Sequence, residues 1–296
     1  MSNPIKLFRQ LVPALTLGVV AAGGATAQTA APLTVTVYNA NAQSFHVNAV
    51  VVSGKTEALV IDTGFTRADA LRVAANVLDS GKTLKSIFIS NADPDFYFGA
   101  ETLKTIFPQV QVLTTPAVRE KIQAKLAAKM AVWGPKMGQN APKQPIVPDV
   151  LDGATLTVDG ETLEVRGTMG ELAARPYVWI PSIKAIVGNI AIFGNLHVWT
   201  ADTQKASERQ AWLAQLDEML ILQPALVVPG HMAVGTPQDA STIAYTRDYL
   251  KHFEAELRQA ANSAALIAAM RRAYPQAGLG VALDIGAKVN KGEIKW

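Results

Sequence analysis

The chain has 296 residues, 49% hydrophobic and 17% charged, which is enough apolar side chain for a sizeable core and unlike the composition of a disordered protein. Its net charge of +3 falls to +1 when Lys6 and Arg9 are removed with the leader described below, which is too little for a nucleic-acid surface. No cysteine is present, so disulfides, a thiolate nucleophile and cysteine-bound zinc are excluded, and any metal must be held by nitrogen and oxygen.

The first segment carries a targeting pattern. Lys6 and Arg9 supply positive charge, residues 11–22 are an apolar run, and Ala25-Thr26-Ala27 is an A-x-A cleavage pattern before Gln28. Residues 1–27 are therefore expected to be a signal peptide that delivers the chain to the bacterial periplasm or outside the cell. The apolar run is shorter than the roughly 20 residues that span a bilayer, and no later stretch resembles a membrane helix. No stable membrane span is expected after cleavage.

Residues 33–38, 46–52 and 57–61 alternate or run apolar with β-branched side chains, and the turn Ser53-Gly54-Lys55 joins the last two into a meander. Asp62-Thr63-Gly64 ends this run. Apolar residues Ala70, Leu71, Ala74, Val77 and Leu78 then predict a helix over 67–78. Residues 86–90 read as a buried strand ending in the polar loop Asn91-Ala92-Asp93-Pro94-Asp95, followed by a helix at 99–107 and a strand at 110–114. A helix is expected at 116–133, with Lys121, Lys125 and Lys129 as a solvated basic stripe, and 134–148 as a surface loop rich in Pro and Gly.

The second half adds strands near 155–158, 163–166, 177–180 and 185–187, a helix at 207–222 and a buried strand at 224–229 closing on Gly230-His231. Residues 242–262 and 263–273 predict two helices, and 278–296 reads as an irregular coda. Two β-rich halves, each with helices, point to two sheets packed face to face with helices outside.

Four landmarks in this order resemble the metallo-β-lactamase superfamily. Ser86-Ile87-Phe88-Ile89-Ser90 followed by Asn91-x-Asp93-x-Asp95-Phe96 and Tyr97-Phe98-Gly99 is similar to that family's strand and T-H-x-H-x-D-H-x-x-G loop. Ala58-Leu59-Val60-Ile61-Asp62-Thr63-Gly64 is similar to its first signature, Val187-Gly188-Asn189 to its G-D, and Val228-Pro229-Gly230-His231 to its terminal P-G-H. His197-Val198-Trp199, the leader and the helical tail resemble an exported branch of the family. The resemblance implies an α+β fold, a four-layer αββα sandwich with a C-terminal helical extension. The leader would occupy residues 1–27, the sandwich 28–240, and the extension 241–296, packed on the same domain.

The family's ligand positions fall on Asn91, Asp93 and Glu171 for one metal, with Met169 competing for the third place. They fall on Asp95, Phe96 and His231 for the other metal, with Asn189 at the bridge. Only Asp95 and His231 keep the family's residue type. Phe96 offers no lone pair and Asn189 no bridging charge, so the substitutions argue against dinuclear zinc. An oxygen-rich set of Asp93, Asp95, Glu171 and His231, helped by Asn91 or Asn189, leaves open a single Mn, Mg, Ca or Zn ion. Such an ion would serve a hydrolase acting on a small ester, lactone, amide or phosphoester, with Asp93, Asp95 and His231 as the catalytic candidates. The other reading is a protein that kept the fold without zinc-dependent activity and holds a small-molecule ligand or a partner.

Asp93 and Asp95 also form a candidate acid–base pair without metal, although Asp-Pro-Asp is equally good turn chemistry. Asp62 is expected to support the site from behind. Phe96, Tyr97 and Phe98 are read either as the floor of an apolar pocket or as core, and His197 as a packed histidine beside Trp199. His46 on a strand and His252 on the tail helix have no evident partner. No G-x-S-x-G, P-loop or dinucleotide fingerprint is present.

Overall fold

The computed structural model describes Met1, Ser2 and residues 32–296, so the body of the expected leader lies outside the described residues. Strands β1 (Thr34–Asn39), β2 (Asn48–Ser53) and β3 (Glu57–Ile61) form an antiparallel meander. Helix α1 (Arg67–Ser80) then crosses to β4 (Thr83–Ile89). It begins with a Thr66–Asp69 capping box and ends at Gly81, whose φ of 64° suits a residue without a Cβ. The one-turn α2 (Pro94–Tyr97) and α3 (Ala100–Ile106) lead to β5 (Gln111–Thr114), and α4 (Pro116–Met137) leads to β6 (Asp149–Val150). Strands β3 to β6 run parallel, giving a six-stranded sheet in sequence order.

The second sheet contains β7 (Thr155–Val158), β8 (Glu161–Arg166), β9 (Tyr177–Ile180) and β10 (Ala185–Val187). β11 (Phe193–Gly194) follows in the chain, then α5 (Ala206–Ile221), and then β12 (Leu226–Val227), which pairs parallel with β10. The sheet order is β12-β10-β9-β8-β7. β13 (His231–Met232) pairs with β11 in a separate two-stranded parallel ribbon that sets Phe193 opposite His231. Helices α6 (Ser241–Gln259), α7 (Ser263–Ala273) and α8 (Gly280–Asn290) complete the chain.

Strand periodicity divides the core. Val50, Val52, Leu59, Ile61 and Phe88 face Val158, Leu163, Val165, Val178 and Val187 of the second sheet, whereas Ala49, Val51, Ala58, Val60, Ile87 and Ile89 face α1, α3 and α4. The outer face of the second sheet, through Tyr177, Trp179 and Ile186, packs on α5 to α8. The result is the four-layer αββα sandwich. Each fully buried Leu, Ile or Phe, such as Leu59, Ile61 and Phe88, contributes about 1.5–3 kcal/mol of transfer free energy.

Two sequence expectations are corrected. Residues 278–296 are not an irregular coda, because α8 occupies most of them. Gly278-Leu279-Gly280 turns the chain, with Leu279 at φ 57°, before Ala282, Leu283 and Ala287 bury against the other helices. Gly286 allows this packing, since a Cβ there would lie 2.4 Å from the Thr200 hydroxyl. Helix α4 likewise runs beyond Trp133 to Met137 and takes Pro135 into its last turn. No described helix is long and apolar enough to cross a membrane.

Candidate functional site

The loop after β4 is held from behind by Asp62. This residue follows β3 at φ 60°, and its carboxylate accepts the Ser90 backbone N–H at 2.8 Å and the Ser90 hydroxyl at 2.7 Å. Among the described residues no cation offsets its burial, which pushes its carboxyl up to about 7. Beyond Ser90, Asn91 Oδ1 accepts the Asp93 N–H at 2.8 Å, a local Asx turn that uses the side-chain oxygen. Pro94 then opens α2, where Asp95 sits in the first turn and Phe96 is fully buried. Thr63 donates its N–H and hydroxyl to the Phe96 carbonyl at 2.8 and 3.0 Å. Gly99 has to be glycine here, since a Cβ would lie 2.2 Å from the Thr63 carbonyl oxygen.

His231 arrives from the other half of the chain. Its ring stacks on Phe193 at 5.1 Å and meets Phe96 edge-on at 5.4 Å. Nδ1 lies 2.9 Å from the Phe45 carbonyl oxygen, which can only accept, so Nδ1 carries the proton and Nε2 presents a lone pair. That lone pair lies 3.5 Å from Asp95 Oδ2. Burial lowers the His231 pKa to about 4, so the ring is neutral at neutral pH. Asp95 is pushed well above the usual carboxylate range by burial and then by the Asp93 carboxylate. Asp93 is raised as well, by burial and then by Asp202, against the pull of Lys129, whose ammonium lies 3.6 Å away.

The structure puts Asp93, Asp95 and His231 on one cavity, brings only Asp95 and His231 into contact, and leaves the other expected ligands elsewhere. Asn189 is fully buried and spends its amide on backbone, donating to the Val228 carbonyl at 3.1 Å and accepting the Ile192 N–H at 2.9 Å. Glu171 is exposed on the 3₁₀ turn Gly170–Leu172, and its competitor Met169 is 86% exposed. Among the described residues no three His, Cys, Asp or Glu side chains converge as an ion would require. The donor set therefore does not fit the zinc centre that the resemblance implies.

Over Asp95 and His231 lies a cavity of about 560 Å³. Its walls come from the Phe45 loop, from α4 through Trp133, and from Trp199, α8 and Trp296. Phe96, Tyr97 and Phe98 do not line it and fill the cores instead. His197 is packed, with Nδ1 3.0 Å from the Tyr249 hydroxyl. His46 precedes β2 at φ 57° rather than lying on a strand, and His252 sits 3.8 Å from Glu256 one helical turn on.

Sequence reasoning missed the charged rim. Lys125 and Lys129 are not simply a solvated stripe. They turn toward Asp202 and Asp93 at 3.6 Å each. Burial opposes ionisation of Asp202, yet Lys121, the Trp199 N–H, Lys125 and Lys129 together hold its carboxyl below the usual value. Trp199 Nε1 donates to Asp202 Oδ2 at 2.7 Å, and Trp296 Nε1 to Oδ1 at 3.2 Å. The only sequence signal was the i, i+4 spacing of the lysines, which names no partner.

The sequence model of the Metallo-beta-lactamase superfamily matches residues 43–231. Among solved structures, a metallo-beta-lactamase from Pontibacter korlensis is similar at 19% identity over 74% of this chain and 95% of that one, with a TM-score of 0.53. A metallo-beta-lactamase family protein from Thermus thermophilus is similar at 16% identity over 88% and 91%, with a TM-score of 0.62. A double mutant of a sec-alkyl sulfatase is similar at 15% identity over 82% and 47%, with a TM-score of 0.55. No curated protein matches the chain.

Proposed function

The chain belongs to the metallo-beta-lactamase superfamily, and from that premise we propose that it is a small-molecule-binding member without zinc-dependent hydrolase activity. The observation that carries this reading is the state of the donor set. Of the family's ligand positions, Asn91 and Asn189 are committed to backbone, Phe96 packs edge-on against His231, and Glu171 is on the surface. Asp95 and His231 alone approach each other, and two ligands fall short of the three that a catalytic zinc usually keeps. A single hard ion would draw on Asp93 as well, but Lys129 already supplies the positive charge there. The cavity above has the volume of a small-molecule site, roughly 300–1,000 Å³, and its walls are mostly apolar, aromatic and aliphatic together.

The test is elemental analysis of protein purified without chelator, paired with melting curves in added Zn²⁺, Mn²⁺, Mg²⁺ and Ca²⁺ for wild type and Asp95→Ala. The expected result is sub-stoichiometric metal and no shift. A stoichiometric ion, with a stabilisation that Asp95→Ala abolishes, would overturn the reading in favour of a mononuclear hydrolase. On the leader pattern we place the mature protein in the periplasm, cleaved after Ala27, which N-terminal sequencing of secreted material tests.

A further inference from the structure

At the floor of the 560 Å³ cavity two polar side chains are nine-tenths or more buried, Asp95 with 10% and His231 with 6% of its side chain exposed. Neither has its hydrogen-bonding capacity filled. Among the described residues the one polar partner of His231 Nε2 is Asp95 Oδ2, at 3.5 Å, while Nδ1 is used on the Phe45 carbonyl. The Asp95 carboxyl has no side-chain hydrogen bond to any other described residue. Such groups cost free energy unless an occupant satisfies them.

The walls decide what kind of occupant that is. Among the lining residues Phe45, Phe65 and Trp133 form a cluster with ring centroids 5.2–5.6 Å apart, Trp133 edge-on to both phenylalanines. Trp199 and Trp296 meet edge-on at 5.1 Å. Aromatic rings prefer such offset and edge-on arrangements with one another, so a flat aromatic body finds ring partners in these walls that a flexible aliphatic one cannot use. Near the floor charge is already settled without a ligand, since Asp93 is paired with Lys129 and Asp202 with Lys125, while Lys295 lines the cavity from the exposed end of the chain. An anionic headgroup at the floor would face Asp93 and Asp95, and a cationic one would displace Lys129. Ethers and ketones can accept but cannot donate to the Nε2 lone pair.

We propose, resting on the small-molecule reading above, that the cavity binds an uncharged hydroxylated aromatic compound, a phenol or aryl alcohol. Its hydroxyl donates to His231 Nε2 beside Asp95, and its ring system lies against the Phe45–Phe65–Trp133 and Trp199–Trp296 clusters. The hydroxyl's one proton goes to Nε2, and the ring leaves the Asp93–Lys129 pair intact.

The experiment titrates purified wild-type protein with 1-naphthol, 1-methoxynaphthalene and 1-naphthoate, following tryptophan fluorescence and calorimetry. The expected result is 1-naphthol binding about tenfold tighter than the ether or the acid, the scale of one buried group left unsatisfied. In His231→Phe, which keeps the aromatic stack, naphthol should fall to the ether's affinity while the ether's own affinity is retained. The comparison of probes in wild type stands even if that variant fails to fold. Equal binding of naphthol and ether, or tighter naphthoate, would overturn the hydroxyl inference and leave an apolar ligand site. Failure of every probe to bind would overturn the inference without touching metal content, on which the small-molecule reading is tested separately.

Discussion

At Asp62 a carboxylate with no counter-ion is fixed at φ 60° by two hydrogen bonds from Ser90, and its position decides where the loop carrying Asp93 and Asp95 begins. Its carboxyl, raised from 3.8 to about 7 by burial, binds a proton more tightly in the fold than in the unfolded chain. The stability it contributes is fully present below pH 3.8 and is lost as pH rises through about 7. His231 acts in the opposite sense. With its pKa lowered to about 4, its contribution is present above the ordinary histidine value of 6.5 and is lost as pH falls toward 4. Asp62→Asn keeps an oxygen for the Ser90 N–H and an amide for the Ser90 hydroxyl, and asparagine tolerates the left-handed backbone. Urea denaturation between pH 4 and 7.5 should show the variant losing less stability than wild type as pH rises, by at most on the order of 4 kcal/mol. Parallel pH profiles for the two proteins would mean that Asp62 does not titrate in this window.

The cavity walls depend on helices far apart in sequence, and one buried pair ties three of them together. Arg209 of α5 bonds through Nε to Glu254 of α6, and through Nη1 to the Thr203 and Gln204 carbonyls at 2.7 and 2.8 Å and to Asn290 of α8 at 2.7 Å. Arg209 and Glu254 are 3% and 8% exposed, so removing one partner strands the other charge in the interior. Arg209→Ala should destabilise the protein by about 3–5 kcal/mol, read as a drop in thermal or urea midpoint. It should also loosen α8 and weaken binding in the cavity that α8 lines. A loss below about 1 kcal/mol would mean that the pair contributes little to joining these helices. Their amphipathic spacing announced α5, α6 and α7 in the sequence, whereas α8 was hidden behind Gly278 and Gly280. Local turn chemistry there reads the same whether the chain ends or continues into a packed helix.

Across the whole molecule, α6 packs on α5 and β11 and carries α7, which carries α8, with Tyr249, Leu250, Phe253, Leu266, Met270 and Leu283 in the same core as Phe193 and Trp212. A chain ended at Ala240 should therefore expose a large apolar patch, bind ANS and lose near-UV circular dichroism. A soluble truncation with native spectra would make residues 241–296 an independent appendage. The sandwich itself was legible because period-2 runs, helical spacing and the four landmarks are local patterns, and burial on two faces leaves its mark on β2, β3 and β4 directly. Asp95 and His231 were legible for the same reason, each sitting inside a landmark. What the sequence alone determined is this succession of elements and the substitution of ligand types at Asn91, Phe96 and Asn189. Only the tertiary structure decided that Asn189 spends its amide on backbone, that Glu171 lies on the surface, and that Lys129 and Asp202 meet the site. Those facts depend on side-chain direction and on contacts between segments distant in the chain, and residue order does not encode such contacts locally.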